Sequence, residues 1–395
     1  MNTTKSTKYI FILGGVMSGL GKGIAASSIG YLLKQAGVKV TILKLDPYLN
    51  VDPGTMNPYQ HGEVFVLDDG SETDLDLGHY ERFIDVNMTK NNNATAGQIY
   101  STVLDRERKG EYLGDTVQVI PHITDEIIKR IKAVNNPKKY DVVICEVGGT
   151  VGDIESLPFM EAIRQLSLEV GYHNYMLVHV TLLPYVKASG ELKSKPTQHS
   201  VMKLREIGLA PDMIFCRSEH SIEQSVRDKI ALFCNVRPDH VIEGLDVPTI
   251  YEVPLLMHEQ NAGELINDRL NIEKKPSLKE LRKFIHNFKN PSHEVTIAMC
   301  GKYTELIDSY KSVMEAFIHA GVENNARVNV KWVQTENIKD DKSAKKAFED
   351  IDGILILPGF GSRGSEGKIH SSKYARENKI PFLGICLGLQ CAVID

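Results

Sequence analysis

The sequence predicts an α/β protein in which a doubly wound, mostly parallel sheet is followed by a second α/β domain. Two short strands flank a helix within the first fifty residues, and such a βαβ unit requires parallel pairing. Further apolar strands alternate with helical segments as far as about residue 270. New strands at 294–300 and 353–357 indicate that the second domain begins near residue 293.

The composition is that of a globular protein and excludes several classes of partner. The chain has 395 residues, enough for two or three domains, and its 42% hydrophobic and 25% charged content is ordinary. A formal net charge of -5 argues against nucleic acid and anionic membrane surfaces as partners. Six cysteines without a C-x-x-C pair indicate reduced thiols, and no apolar run could span a bilayer. We therefore expect a cytoplasmic protein.

The first strand leads into a glycine-rich segment, GGVMSGLGKGI at residues 14–24, which predicts a site for a nucleoside triphosphate. Such turns let backbone N–H groups converge on a phosphate, and the following helix adds its positive N-terminal end. In the common pattern G-x-x-x-x-G-K-[ST] four residues separate the two glycines, whereas five separate Gly15 and Gly21 here. The common pattern also has a serine or threonine, whose hydroxyl binds magnesium, at the position of Gly23. We expect Lys22 in a surface loop and the metal on other residues. The alternative is a glycine-rich turn that serves only to pack the helix on the strand.

Two groups of acidic residues are candidates for binding that metal. Alternation along an extended segment would place Glu72, Asp74 and Asp76 on one side, where mutual repulsion favours a bound cation. An exposed acidic turn is the alternative. Glu146 lies at the end of an apolar strand, beside glycines. In other nucleotide-binding proteins a carboxylate at such a position binds the metal that is held by the phosphates.

Further polar residues are expected at the same edge of the sheet. Lys44 and Asp46 lie on one face at the carboxyl end of the second strand, where open α/β sheets bind ligands, although Asp46 could equally be a solvated strand end. Residues 187–198 are predicted to form a loop that binds a second anion and a base. An ordinary basic surface loop is the alternative.

The second domain carries a candidate nucleophile. Gly384 and Gly388 flank Cys386 at a distance of two residues, a pattern typical of a strained strand-to-helix turn that exposes a reactive thiol. Gly359, in an earlier loop, could lend a backbone N–H to an oxyanion. A buried core cysteine is the alternative.

These segments together resemble the CTP synthase family from about residue 8 to residue 395. The matching segments are residues 14–24, KLDPY at 44–48, NVDPGT at 50–55, HGEVF at 61–65, DLDLGHYERF at 74–83, EVGGTVGDIES at 146–156, KPTQH at 195–199 and the Cys386 turn. The resemblance implies a ligase that forms CTP from UTP, ATP and glutamine. The alternatives are another ATP-dependent ligase, similar to dethiobiotin synthetase, and a nucleotide-switched structural protein with an inert Cys386.

The resemblance also implies roles for individual residues. Those expected at ATP are Ser18, Gly19, Leu20, Gly21, Lys22, Gly23, Ile24, Lys44 and Asp76. Those expected at UTP and at the feedback inhibitor CTP are Ser18, Asp153, Ile154, Glu155, Lys193, Ser194, Lys195, Pro196, Thr197, Gln198 and Lys229. Those expected at glutamine are Gly359, Leu387, Gly388, Leu389 and Gln390. Magnesium is expected on Asp76 and Glu146, and catalytic roles on Lys22, Lys44 and Cys386.

At the level of domains, the resemblance implies a synthetase domain at 1–270, a linker at 271–292 and the N-terminal part of a class I glutamine amidotransferase domain at 293–395. It further implies a homotetramer and activation by GTP through residues 361–367. In the family the histidine and glutamate of the glutaminase lie well beyond the nucleophile. We therefore expect the 395-residue polypeptide to make CTP from ammonia but not from glutamine.

Overall fold

The computed structural model describes residues 7–54, 56, 62–136, 138–302, 307–359 and 361–395. Thr55 and His61, which belong to two of the motifs above, lie outside the described residues. Two compact units divide the chain, the first comprising 1–56 and 64–281 and the second 57–63 and 282–395.

The strands alternate with helices along most of the chain. The strands are β1 (Lys8–Gly14), β2 (Val40–Asp46), β3 (Phe65–Val66), β4 (Glu72–Thr73), β5 (Asn93–Thr95), β6 (Val142–Val147), β7 (Tyr175–Leu182), β8 (Tyr185–Val186), β9 (Glu191–Leu192), β10 (Met213–Ser218), β11 (Val241–Leu245), β12 (His293–Gly301), β13 (Ala326–Gln334), β14 (Gly353–Ile356) and β15 (Phe382–Gly384). The α-helices are α1 (Lys22–Gln35), α2 (Asp76–Ile84), α3 (Ala96–Arg108), α4 (Thr124–Ala133), α5 (Leu157–Val170), α6 (Lys195–Glu206), α7 (Gln224–Cys234), α8 (Val253–Glu259), α9 (Ala262–Leu270), α10 (Lys279–Lys289), α11 (Lys311–Glu323), α12 (Asp341–Ala347), α13 (Ser365–Asn378) and α14 (Leu387–Ile394).

The first unit is built on a seven-stranded parallel sheet with the order β11-β10-β7-β1-β6-β2-β5. Helices cover both of its faces. On one face Phe11 of β1 belongs to a buried cluster that includes Ile99 of α3 and Ile163 of α5. On the other face α1 approaches so closely that a Cβ on Gly30 would lie 3.3 Å from Ile42 of β2. Because both faces are buried, the strands are apolar throughout, as parallel sheets require.

The second unit contains a four-stranded parallel sheet with the order β13-β12-β14-β15. Ala298 and Cys300 of β12 pack with Phe348 on one face, and Met299 packs with Tyr310 on the other. The predicted α/β class, with a large doubly wound sheet followed by a second parallel sheet, is therefore confirmed.

The extended acidic segment predicted at residues 72–76 is wrong. Glu72 lies in β4, whereas Asp76 is the first residue of α2. The Asp74 carboxylate accepts a hydrogen bond of 3.1 Å from the backbone N–H of Asp76, and this turns the chain from strand to helix. Glu72 instead lies against Gly54, so the three carboxylates do not share one side of an extended segment.

The loop predicted at residues 187–198 is also wrong in part. Residues 187–190 connect β8 to its antiparallel partner β9, which lies inside the segment, and helix α6 begins at Lys195. Pro196 is tolerated because the first turn of a helix has no intrahelical use for its missing N–H. Residues 195–198 therefore form a helix N-terminus.

Candidate active site

The glycine-rich segment connects β1 to α1 at the carboxyl edge of the large sheet. Lys22 is the first residue of α1, and it is 8% exposed. The prediction of a surface loop is therefore wrong for this side chain, because its aliphatic part lies over Gly14, where a Cβ would be 2.7 Å away. The Lys22 Nζ donates a hydrogen bond of 2.7 Å to the carbonyl oxygen of Gly149. Burial lowers the pKa of Lys22, while the nearby Glu146 opposes this shift.

A buried cluster of one lysine and three carboxylates lies beside this segment. Lys44 of β2 is paired in register with Glu146 of β6, and the Lys44 Nζ lies 3.3 Å from the Glu146 Oε1. The Asp76 carboxylate, at the start of α2, also pairs with Lys44. Asp46 is 3.7 Å from the same ammonium group. The structure thus brings together Lys44, Asp76 and Glu146, three of the residues expected at ATP and magnesium.

The position of Asp76 accounts for the unusual Gly23. A Cβ on Gly23 would lie 2.1 Å from the Asp76 Oδ1, so no serine or threonine side chain could occupy this position without displacing the carboxylate. Oxygen ligands are those that magnesium prefers, and it usually takes one or two protein carboxylates together with phosphate oxygens. The residues present therefore fit the metal that ATP-dependent phosphoryl transfer requires. Among the described residues, no group of three or more His, Cys, Asp or Glu side chains has the arrangement of a self-sufficient metal site.

The charges of the cluster depend on Lys44. Burial opposes the charge of Lys44, but Asp76 and Glu146 raise its pKa well above the ordinary value. Burial and the Asp76 charge raise the pKa of Glu146, whereas for Asp76 the attraction of Lys44 overcomes burial and lowers the pKa. Burial also raises the pKa of Asp46 to about 7. The ammonium group therefore compensates carboxylates that would otherwise repel one another.

Two residues that the sequence interpretation missed hold these carboxylates in place. The hydroxyl of Tyr80, which is fully buried, donates a hydrogen bond to the Glu146 Oε2. The Asn93 side-chain amide donates a hydrogen bond of 3.0 Å to Asp46. Tyr80 follows Asp76 by four residues, so the two lie on one face of α2, and this spacing could have indicated it. Asn93 carried no comparable signal, because only strand pairing brings β5 beside β2.

The N-terminus of α6 adjoins the glycine-rich segment. The Thr197 hydroxyl lies 2.9 Å from that of Thr181 in β7, which places the helix start at the carboxyl end of that strand. One turn later, the Ser200 Oγ lies 2.8 Å from the His179 Nε2 and would be 1.5 Å from a Cβ on Gly15. Burial lowers the pKa of His179 to about 4, so this imidazole is neutral at pH 7. The two predicted nucleotide-binding segments therefore pack against each other at Ser200 and Gly15.

Most of the residues expected at the pyrimidine nucleotide are accessible to solvent. Ser194, Thr197 and Gln198 are buried, and Lys195 and Lys229 are exposed. The Lys193 ammonium pairs with Glu191, and Lys193, with a weaker contribution from Lys229, lowers the pKa of that carboxyl. Both lysines therefore contribute positive charge to the surroundings of Glu191.

The segment after β6 contributes the other residues of this set. Asp153 precedes a short 3-10 helix, Ile154–Ser156, and its Oδ2 accepts a hydrogen bond of 2.9 Å from the backbone N–H of Thr150. The side chain of Ile154 is 81% exposed, and Glu155 and Ser18 are exposed as well. An apolar side chain this accessible beside polar groups is available to contact a ligand.

Cys386 lies at a strand-to-helix turn in the second unit. It is exposed, immediately precedes α14, and has φ 52° and ψ -108°, a strained conformation for a residue with a side chain. A Cβ on Gly388 would be 2.4 Å from the carbonyl oxygen of Ile356, and a Cβ on Gly384 would be 2.6 Å from the Gly388 backbone. Both glycines are thus required by close backbone approach, and the alternative of a buried core cysteine is wrong.

The residues expected at glutamine lie around this thiol. Leu387, Gly388, Leu389 and Gln390 form the first turn of α14, with Gly388 buried and Leu389 60% exposed. Gly359 follows the end of β14 and is half-buried. The N–H groups of Gly388 and Gln390 donate to the carbonyl oxygens of Ile385 and Cys386, whereas those of Leu387 and Leu389 have no backbone partner among the described residues and are available to an anion.

Comparison with known proteins identifies one family in each part of the chain. Residues 8–272 match the family described as CTP synthase N-terminus, and residues 305–395 match that described as glutamine amidotransferase class-I. A CTP synthase of Caldanaerobacter subterraneus subsp. tengcongensis is 59% identical over 98% of this chain and 72% of its own length. One of Clostridium acetobutylicum is 58% identical over 98% of this chain and 73% of its own length.

A solved structure, the glutaminase domain of Trypanosoma brucei CTPS with bound acivicin, is 39% identical, covers 25% of this chain and 39% of its own, and has a TM-score of 0.24. The identity and coverage of the two bacterial relatives decide the family. The chain therefore belongs to the CTP synthase family, and its reaction is the ATP-dependent amination of UTP to CTP with nitrogen from glutamine.

Proposed function

We propose that the cluster of Lys44, Asp76 and Glu146 beside Lys22 is the centre at which ATP phosphorylates the uracil O4. In this step the O4 attacks the γ-phosphorus and ADP leaves; ammonia then adds to C4 and phosphate departs. Lys22 and Lys44 would neutralise charge on the transferring phosphoryl oxygens. The close contact between Asp76 and Gly23 carries this proposal, because it supplies a carboxylate where the common phosphate loop supplies a hydroxyl.

We propose Asp76 and Glu146 as the protein ligands of magnesium, which would supply charge neutralisation for the phosphates when bound. Tyr80 would orient the Glu146 carboxylate through its hydrogen bond, so the oxygen facing Lys44 and the phosphates keeps a fixed direction. The chain's own lysines and carboxylates would thus bind and orient ATP without a side-chain hydroxyl at position 23.

Asp76→Asn and Glu146→Gln are expected to raise the magnesium concentration needed for half-maximal rate by about 100-fold, and Tyr80→Phe by about 10-fold. The reason is that the first two remove a ligand charge, whereas the third only frees a ligand to rotate. Magnesium titrations of ammonia-dependent CTP formation at saturating UTP measure this order. Asp239→Asn, an exposed carboxylate at 51% side-chain exposure, is the control. Unchanged titrations in the first two variants would place the metal elsewhere.

We propose that the pyrimidine nucleotides bind across the N-terminus of α6, with Ser18, residues 153–155 and residues 193–198 around the base and Lys193 and Lys229 at the triphosphate. UTP and CTP differ only around C4, so one set of triphosphate contacts can serve both. The helix N-terminus and the two lysines that act on Glu191 support the assignment, since they combine partial and full positive charges.

Lys193→Ala and Lys229→Ala are therefore each expected to weaken the binding of UTP and of CTP by a similar factor of about 10, the scale of one charged hydrogen bond. Equilibrium binding of both nucleotides measures this. Lys203→Ala is the matched control, since Lys203 is an exposed lysine of α6 that pairs only with Glu206 in the described structure. If UTP affinity were intact in both variants, the segment would be an ordinary basic surface.

We propose that Cys386 attacks the glutamine amide, with the N–H groups of Gly359 and Leu387 binding the oxyanion and residues 387–390 contacting the substrate. The strained backbone at Cys386 supports this, because it presents the thiol at a helix N-terminus. The family resemblance supports four further proposals: activation by GTP through residues 361–367, feedback inhibition by CTP, a homotetramer and a cytoplasmic location. No helix in the described part of the chain is long and apolar enough to cross a membrane.

For the domains we propose a synthetase domain at 1–270, a linker at 271–292 and glutamine amidotransferase residues at 293–395. The ends of the two family matches, at 272 and 305, support these limits. Along the chain, the boundary between the two compact units that lies in this region falls between Leu281 and Arg282. This boundary is within α10, which lies inside the proposed linker.

A further inference from the structure

Lys368 is a fully buried lysine in the second unit that none of the roles above uses. It is the fourth residue of α13 and has 0% exposure. Its Nζ donates a hydrogen bond of 2.7 Å to the carbonyl oxygen of Leu357 and lies 3.5 Å from that of Pro358. A buried ammonium group costs free energy unless polar groups compensate it. These carbonyl groups belong to the segment that leads to Gly359.

The contact with Pro358 determines the direction of the Gly359 N–H. The carbonyl of Pro358 and the N–H of Gly359 belong to one peptide group, and in a trans peptide the two bonds are antiparallel. Within the described residues the cis peptide bond is Ile120-Pro121, so this one is trans. Because the carbonyl oxygen faces the Lys368 ammonium, the Gly359 N–H points away from it. Among described residues that N–H makes no backbone hydrogen bond.

A second buried lysine acts on the same segment from its other end. Lys302 is 6% exposed, and its Nζ donates a hydrogen bond of 2.8 Å to the carbonyl oxygen of Gly361. A Cβ on Gly359 would lie 3.5 Å from the Lys302 Cδ and 3.6 Å from the Lys368 Nζ. Two lysine side chains therefore lie against Gly359, and their ammonium groups bind carbonyl oxygens on both sides of it.

We propose that Lys368 is a positioning residue for glutamine hydrolysis: by binding the carbonyls of Leu357 and Pro358, it keeps the Gly359 N–H directed at the oxyanion that forms when Cys386 attacks. The inference rests on the proposed roles of Cys386 and Gly359. A donor that is already oriented stabilises the transition state without reorganisation. The cation also polarises the peptide group and strengthens its N–H as a donor.

Two reagents separate this role from an effect on the thiol itself. With p-nitrophenyl acetate, the Cys386 thiolate attacks the carbonyl carbon, an oxyanion forms, and its collapse expels p-nitrophenolate to leave an acetyl thioester. No general acid is needed for this leaving group. Iodoacetamide is attacked at carbon with loss of iodide, and no oxyanion forms. The ratio of the two rate constants within each variant therefore reports oxyanion stabilisation and cancels any loss of folded protein.

Lys368→Met is expected to lower this ratio at least about 10-fold. Lys368→Arg, which retains donors for the carbonyls, is expected to keep more of the ratio than Lys368→Met does. Lys373→Met, at a half-buried position on the same helix where the lysine pairs with Asp341, is expected to leave it unchanged, and Cys386→Ala supplies the blank. An unchanged ratio in Lys368→Met would overturn the positioning role of Lys368 but leave the assignment of Cys386 as the nucleophile intact. Absence of acetylation at Cys386 in the parent protein would overturn the assignment of the nucleophile and the inference with it.

Discussion

Replacing Lys22 by alanine is expected to lower the ammonia-dependent rate of CTP formation at least ~100-fold, the scale of one lost electrostatic stabiliser. The Lys22 ammonium is buried, lies at the first residue of α1 and contacts only the Gly149 carbonyl at 2.7 Å among its hydrogen bonds in the described structure. No carboxylate of the described residues lies within hydrogen-bond distance of it, so a bound phosphate can recruit it. Steady-state rates with ammonium as the nitrogen source measure the loss independently of Cys386.

The matched control for this variant is Lys34→Ala. Lys34 lies in the last turn of the same helix, half-buried, and pairs with Asp85 on the surface. Its loss is expected to leave the rate nearly unchanged, because surface ion pairs contribute little. Circular dichroism of both variants checks that α1 is retained. Turnover close to the parent rate in Lys22→Ala would rule out this lysine as a catalytic residue.

Gly23→Ser is expected to lower the same rate about 100-fold, although it restores the hydroxyl of the common phosphate loop. The reason is steric: the new Cβ would lie 2.1 Å from the Asp76 Oδ1 and 2.8 Å from its Cγ. Either the carboxylate or the helix start must move, and a displacement of about 1 Å at a reacting centre is enough for such a loss. The magnesium requirement is expected to rise in parallel, since Asp76 is the group displaced.

Gly263→Ser serves as the control for that substitution. Gly263 lies in α9, and a Cβ there would meet no atom within 4 Å, so the change adds the same atoms in open space. Kinetics and magnesium titration of the two variants should therefore differ sharply. A Gly23→Ser enzyme that used magnesium as well as the parent would show that a hydroxyl can replace the Asp76 contact and would refute the proposed metal arrangement.

Local sequence was sufficient for those features that depend on neighbours along the chain. The βαβ pattern and the second set of strands predicted two parallel sheets, and both are present. The glycines around Cys386 predicted a strained turn because only close backbone approach excludes a Cβ on both sides, and the geometry at Gly384 and Gly388 agrees. Lys44 and Asp46 were placed on one face by alternation, and both are buried at the carboxyl end of β2.

Where a side chain changes the course of the chain, alternation failed. Periodicity assumes that a segment continues in one conformation, but the Asp74 carboxylate accepts a hydrogen bond from the Asp76 N–H and starts a helix. The same limit applies at Lys195, where α6 begins inside a predicted loop. Burial of Lys22 was equally hidden, because it depends on the space left by Gly14 across the turn.

The sequence by itself determined the two sheets, the glycine-rich turn before α1 and the strained turn at Cys386, since each depends on residue types within one short segment. Tertiary structure alone decided which distant groups meet. Strand order brings Glu146 beside Lys44, helix packing places Asp76 against Gly23, and Lys368 of α13 reaches the carbonyl of Pro358 in the loop after β14. The physical reason is that charge compensation and hydrogen bonding act over a few ångströms in space, whereas a sequence pattern records only separation along the chain.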